Sequence, residues 1–284
     1  NNTFTSPGVL TSGVSYISTT AYDGKLPTGE GIHYLNTTKA APTVSGNITD
    51  YIANEASPLI IGTFHEGDNR HFQGDLAEVI IYRTALNEAQ RQILENYLAA
   101  KYGITVLTNI FSGNDAAYTN DIAGIGQESG TFHDLSSSAG MYLAPNGGLN
   151  NGDFLMAAHN NAVNDTNSFR NNAEITASGA VEAWNRDWYI EKTGNLNARI
   201  SFDFSEALNN SRYPVNPANY ILLYRAGTSG NYSVVTVVAQ DIANGDQVYF
   251  DVSDANLLSG YYTLATLDDL ASPLQGIPGN TCIH

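Results

Sequence analysis

The residues of this chain best suited to hold a ligand are oxygen donors in two loops. Gly113 to Asp121 carries Asp115, Asn120 and Asp121, with Asn114 beside them, and Asn146 to Asp153 carries Asn150, Asn151 and Asp153. Calcium takes about six to eight oxygens from carboxylates, amides and carbonyls, and both loops have that composition, although neither has the DxDxDG spacing of an EF-hand. The same side chains also cap turns through their own backbone, a use that needs no ion. Calcium is the cofactor expectation, and turn capping is its competitor.

Catalytic chemistry has less to stand on. A retaining glycosidase needs two carboxylates about 5 Å apart, which a strand of the form ExDxxE would place on one face. Glu66 and Asp68 begin that pattern, but His71 stands in the third place, and Gly67 and Asn69 mark a loop. Glu78 has no acid two or three residues away. GxSxG, HExxH, Walker-type and GxGxxG strings are absent, the histidines are scattered, and Cys282 has no second cysteine with which to hold zinc or form a disulfide. No residue is therefore assigned a catalytic role. Trp184 and Trp188, four apart on an expected strand from Ala183 to Glu191, share a face with Ile190, which points to core packing before a sugar platform. Arg186 falls between them, its expected use being to reach an acid or the sheet edge.

The elements that would position these groups are mostly strands. The best defined is Arg199 to Phe204, where Ile200, Phe202 and Phe204 face one way and Ser201 and Asp203 the other. Val14 to Thr19, Ile32 to Leu35, Leu59 to Phe64, Phe154 to Ala158, Tyr220 to Tyr224, Val234 to Val238, Gln247 to Val252 and Tyr261 to Ala265 also read as strands. Leu76 to Tyr82 is apolar in both alternating sets, as in a strand covered on both faces. The one convincing helix runs from about Glu88 to Tyr102. Asn87 and Gln90 form a capping box, Gly103 suits a left-handed C-cap, and Ile93, Leu94, Tyr97, Leu98 and Tyr102 make the expected buried stripe.

Composition agrees with this pattern. The chain has 284 residues, 42% hydrophobic, with 17 Tyr, 10 Phe and 26 Gly, a mixture that favours pleated sheets and turns. Twelve basic residues against 28 acidic ones give a net charge of −16, which repels phosphate backbones and anionic lipid headgroups. Neither nucleic acid nor membrane insertion is expected. The N-terminal NNTFTSPGVL lacks the basic and apolar regions of a signal peptide, so the chain reads as a mature product or a fragment. The expected fold class is all-β: two antiparallel, jelly-roll-like β-sandwich domains with one short helix at about residues 88–102.

The string GDLAEVIIYRTALNEAQRQILENYLAAKYGI resembles the C-terminal end of laminin-G-like, concanavalin-A-like jelly-roll domains of large Bacteroidetes surface proteins. Upstream, AYDGKLPTGEGIHYLN and SPLIIGTF take the places of earlier strands of that family. Downstream, YTNDIAGIG, NRDWYIEKTG and LSGYYTLAT resemble the module that commonly follows it. The resemblance implies that residues 1–104 are the C-terminal part of a first sandwich, 105–270 a second sandwich, and 271–284 a linker toward a further domain. A complete first sandwich needs on the order of 150 to 200 residues, so its N-terminal half is expected to lie elsewhere.

The resemblance further implies a non-catalytic part of a secreted or cell-surface protein exported by the type IX route, acting in adhesion or ligand display. Its expected partners are other domains of the same long chain, glycans or surface proteins. The alternative is an accessory carbohydrate-binding region of a polysaccharide-degrading enzyme. A glycosidase comes third.

Overall fold

The computed structural model describes residues 3–5, 10–22, 31–39, 43–45, 59–63, 69, 71–113, 117–164, 169–208 and 213–276. The chain is mostly β, its strands pairing antiparallel. It forms two compact units, a smaller one of residues 1–14, 18–35 and 39–86, and a larger one of 15–17, 36–38 and 87–284.

Upstream of the helix lie β1 (Thr3–Thr5), β2 (Ser18–Tyr22), β3 (Gly31–Leu35), β4 (Thr38–Lys39) and β5 (Thr43–Ser45). β1 pairs with β5, and β2, β3 and β4 form a second small sheet. Of the expected strand Leu59 to Phe64, residues 59–63 are described and yield an isolated bridge, Thr63 with His71. Leu76 to Tyr82, expected as a strand covered on both faces, forms no ladder, and Leu76, Val79, Ile80, Ile81 and Tyr82 are exposed. Strand formation depends on a neighbour to pair with, and no described residue supplies one.

The helix α1 (Glu88–Tyr102) has the expected ends. Asn87 Oδ1 accepts from the Gln90 N–H at 2.9 Å, Gln90 Oε1 accepts from the Asn87 N–H at 3.2 Å, and Gly103 is left-handed at φ 64°. Its buried face is not the expected stripe. Ala89, Gln92, Glu95, Asn96 and Ala99 are buried, whereas Tyr102 is exposed and Ile93, Leu94, Tyr97 and Leu98 are half-buried. Asn96 explains part of this, because it ties the helix to the chain that follows. Its Nδ2 donates to the Thr108 carbonyl at 3.0 Å and its Oδ1 accepts from the Ile110 N–H at 2.9 Å. Ala89, Ile93 and Ala100 then pack with Ile110, Phe111, Tyr118, Phe154 and Met156. The helix expected to close the first domain thus belongs to the larger unit.

The larger unit is a β-sandwich. Its strands are β6 (Asn120–Glu128), β7 (Thr131–His133), β8 (Ser136–Ser138), β9 (Met141–Pro145), β10 (Asp153–His159), β11 (Phe169–Arg170), β12 (Glu182–Trp184), β13 (Trp188–Thr193), β14 (Ala198–Asp203), β15 (Tyr220–Arg225), β16 (Ser233–Val234), β17 (Ala239–Ala243), β18 (Gln247–Val252) and β19 (Gly260–Thr266). Single helical turns, α2 (Ala173–Thr176) and α3 (Phe204–Ala207), interrupt them. One sheet runs β11-β12-β19-β13-β10-β6-β7, with β15 on β19 and β16 on β15; the other runs β17-β18-β14-β9-β8. Trp184 and Trp188 from the first sheet meet Phe202 from the second at ring separations of 5.7 and 5.4 Å, and both tryptophans are fully buried.

The first sheet is buried on both faces. Away from the second sheet, α1 and Phe111 cover Phe154, Met156 and Tyr189, while Ile175 of α2 and Tyr232 cover Ala183, Leu223 and Ala265. Every residue of β10 and β19 is accordingly buried. Close packing on the helix side explains AGIG in β6, where Gly126 and Gly124 stand opposite Phe154 and Met156. A Cβ on Gly126 would overlap the Phe154 ring, and one on Gly124 would overlap Met156 Sδ. Gly126→Ala is expected to cost about 1–3 kcal/mol through overpacking. Adding Phe154→Leu should recover part of that loss in a urea titration of the double variant, and strict additivity would show that the crowding lies elsewhere.

The first residues of the expected linker pack against the core. Ser272 and Leu274 are fully buried or nearly so, and the Leu274 carbonyl accepts from Trp184 Nε1 at 3.1 Å, so the described residues 271–276 close one end of the core.

Candidate functional site

The candidate metal residues are placed one by one. Asp115 lies outside the described residues, as do Glu66, Asp68 and Cys282. Asn120 and Asp121 open β6 and both turn to His159 at the end of β10. Asn120 Nδ2 donates to the His159 carbonyl at 3.0 Å, and the Asp121 carboxylate meets His159 Nε2 at 2.7 Å. In the second loop, Asp153 Oδ2 accepts from Asn150 N–H and Nδ2 at 2.7 and 3.1 Å, and its Oδ1 accepts from the Asn195 N–H at 2.9 Å. Asn151 Oδ1 accepts from the Gly130 N–H at 2.8 Å. Only the Asn150–Asp153 contact is a local turn cap; the others join segments far apart in the sequence. Among the described residues, no three His, Cys, Asp or Glu side chains gather as metal ligands, and no helix is long and apolar enough to cross a membrane.

His159 and Asp121 have the geometry of a catalytic dyad, but the ring has no free nitrogen. Nδ1 accepts from the Asn161 N–H at 2.9 Å, which puts the ring proton on Nε2, facing Asp121. Burial, with the Arg186 guanidinium adding to it, holds this imidazole below its ordinary value against the pull of Asp121. A group with a depressed histidine pKa binds protons more readily unfolded than folded. Its contribution is therefore fully present above the unfolded value of about 6.5 and is lost as pH falls through the lower folded value. Thermal midpoints measured from neutral to mildly acidic pH should fall less steeply for His159→Gln than for the native chain; parallel curves would assign the acid sensitivity to other groups.

The most concentrated polar cluster was not marked by any motif. The expected strand from Ala183 to Glu191 is broken into β12 and β13 by Asn185, Arg186 and Asp187, and both pieces pair with the same strand, β19. Thr263 of β19 spans the break, its hydroxyl donating to the Arg186 carbonyl at 2.8 Å and reaching the Trp184 carbonyl at 3.3 Å. Such an insertion re-aims side chains. Here it turns Asp187 inward, 2% exposed, where its carboxylate takes a two-pronged contact from Arg170, a bond from Arg225 Nη2 at 3.1 Å and one from the Tyr118 hydroxyl at 3.4 Å.

Arg225 Nη1 continues to Glu174 at 3.1 Å, and its guanidinium lies 4.4 Å from the Tyr232 ring centre. Burial first, then the Asp187 charge, pushes the Tyr118 and Tyr232 hydroxyls far above their ordinary value, so both stay protonated. The Asp187 carboxylate is engaged by two guanidiniums and a phenol, which makes it the organising centre of this network. Arg186 points elsewhere, donating to the carbonyls of Ala162 and Ala139 at 3.0 and 2.8 Å.

The outer face of the second sheet is the more open arrangement. Tyr142 of β9 and Tyr249 of β18 both stand opposite Ser201 of β14, while Ser137 pairs with Tyr142 and Asp241 with Tyr249. One row therefore runs Ser137, Tyr142, Ser201, Tyr249, Asp241 across all five strands. Beside it, Arg199 holds Asp251 through two bonds of 2.7 and 2.8 Å and lies 3.8 Å above the Tyr249 ring centre. The Tyr142 hydroxyl donates to Glu206 Oε2 at 2.7 Å, and that bond raises it to about 12. The alternation of Met141, Leu143, Ile200, Phe202, Val248 and Phe250 into the core places these two tyrosines on the outer face, where both are half-buried, a distinction sequence reasoning could not make.

A family described as a domain of unknown function, DUF8202, matches residues 90–258, more than half of the chain. The chain belongs to the DUF8202 family. The DUF8202 region starts inside α1 and runs through β18, so it takes in the helix together with the sandwich, as the packing does. The DUF8202 match also contains Tyr118, Arg170, Asp187 and Arg225 of the buried network, and Tyr142, Arg199 and Tyr249 of the outer face. No curated protein and no solved structure matches the chain.

Proposed function

We propose that this DUF8202 chain is a non-catalytic module of a secreted or cell-surface protein, acting in adhesion or ligand display. The observation that carries this reading is the closure of its polar clusters. His159 has both ring nitrogens engaged and Asp187 sits between two guanidiniums, so these two side chains serve to hold strands together. The acidic surface and the laminin-G-like resemblance of residues 14–104 support an exterior location and a type IX export route. Calcium in the Asx loops remains part of the proposal, with Asp121 as its testable ligand: calcium should raise the thermal midpoint, and Asp121→Ala should remove that rise.

Antibody labelling of intact source cells tests the location, and labelling only after lysis would overturn it. A panel of β-glucans tests the absence of turnover; hydrolysis lost on Glu66→Gln would establish a glycosidase instead. The second reading, an accessory carbohydrate-binding region, is favoured by the two tyrosines on the outer sheet face.

A further inference from the structure

The outer face of the five-stranded sheet combines three features. The first is a floor of small side chains, Ser137, Ala144, Ser201 and Ala239, carried by β8, β9, β14 and β17. The second is a pair of tyrosines: neighbouring strands lie about 4.8 Å apart, so the backbones carrying Tyr142 and Tyr249, each one strand from Ser201, are separated by roughly 10 Å. The third is charge. Asp203, Asp241, Asp251 and Glu206 outnumber the guanidinium of Arg199, which pairs with Asp251, so the face is negative, and the exposed Asp241 and Glu206 are its open acceptors.

Each feature narrows the occupant. Rings above a floor of small residues suit a flat, partly apolar body, and the spacing of the backbones that carry them is close to the advance of two sugar units along a linear chain. Sugar faces offer C–H groups to the aromatic rings and O–H donors to the carboxylates. The excess of carboxylates repels a uronate or a sulfated chain and complements one whose hydroxyls donate. Both rings are held in place beforehand, Tyr142 by Glu206 and Tyr249 by Arg199, which lowers the ordering cost of binding.

We propose that this face binds a neutral linear polysaccharide, with Tyr142 and Tyr249 as the two contact rings and Arg199 as the residue that positions Tyr249. The proposal rests on the non-catalytic reading above and supplies its ligand class. The test is affinity electrophoresis of the whole chain through mixed-linkage β-glucan, xylan, mannan and soluble starch, with polygalacturonate as the anionic comparison. Retardation by at least one neutral polymer and none by polygalacturonate is expected. Tyr142→Ala and Tyr249→Ala should each weaken binding about tenfold, and the pair together should abolish it.

Thermal midpoints within a few degrees of the native chain would show that these variants fold. Phe132→Ala, at an exposed ring on β7 of the other sheet, should bind as the native chain does. No retardation by any neutral polymer, equal binding of polygalacturonate, or native binding by the double tyrosine variant would overturn the proposal. Surface labelling of intact cells together with a negative glycan result would remove this ligand and leave the adhesion reading standing, whereas labelling only after lysis would remove the adhesion reading itself.

Discussion

Asp187→Ala is expected to cost roughly 3–5 kcal/mol of folding stability, seen as a lower urea midpoint with an unchanged slope. The size follows from what the substitution leaves behind. Asp187 is 2% exposed and compensates Arg170 and Arg225 together, so its removal strands charge in a largely buried site. Glu174 still pairs with Arg225, and the Trp184 carbonyl still accepts from Arg170 Nε at 2.8 Å, which argues for the lower end of the range. Asp254 supplies the contrast. It pairs with Lys192 at 2.8 Å but is 40% exposed, and an exposed pair is worth about 0–1 kcal/mol. A loss below about 1 kcal/mol for Asp187→Ala would mean that the network is far better hydrated than its burial indicates.

Trp188→Ala is expected to destabilise by about 3–5 kcal/mol, the range for emptying a large aromatic site in a packed core. The ring is fully buried, contacts Trp184 and Phe202, and donates from Nε1 to the Ser138 carbonyl at 2.7 Å, linking the two sheets. Trp188→Phe keeps much of the apolar volume and loses that bond, so it should cost clearly less. Calorimetric midpoints in the order native, Phe, Ala are the expected outcome; equal losses for Phe and Ala would assign the effect to the hydrogen bond instead of the packing.

Local signals in the sequence were read correctly where local chemistry decides the structure. The capping box of Asn87 and Gln90, the left-handed Gly103 and the alternation of Ile200 and Phe202 each depend on residues within one turn or one strand, although the expected strand ends one residue early, with Phe204 opening α3. Trp184 and Trp188 were assigned to the core, and they lie there, although on two strand pieces. What failed depended on distant partners. Leu76 to Tyr82 has strand composition but no described neighbour to pair with, and β6 was not among the expected strands because Gly124 and Gly126 make sense only against Phe154 and Met156.

The helix stripe was misjudged for the same reason: Asn96 outcompetes the apolar positions through bonds to residues beyond the helix. Asp187 gave no motif because Arg170 and Arg225 stand far from it along the chain. The one available signal was a lone acid beside arginine between two tryptophans, in WNRDW, where burial of the rings obliges the charge to find a partner.

The double coverage of the first sheet has a consequence for how the domain breathes. β10 and β19 are shielded on both faces and hydrogen-bonded on both edges, so no partial opening bares their amides to solvent. Their protons should exchange with deuterium only when the whole sandwich unfolds, whereas those of the edge strands β7, β16 and β17 exchange by local fraying. The five-stranded sheet lacks that second cover, so its amides are expected to exchange sooner than those of β10 and β19, leaving the first sheet as the slow-exchanging core of the sandwich.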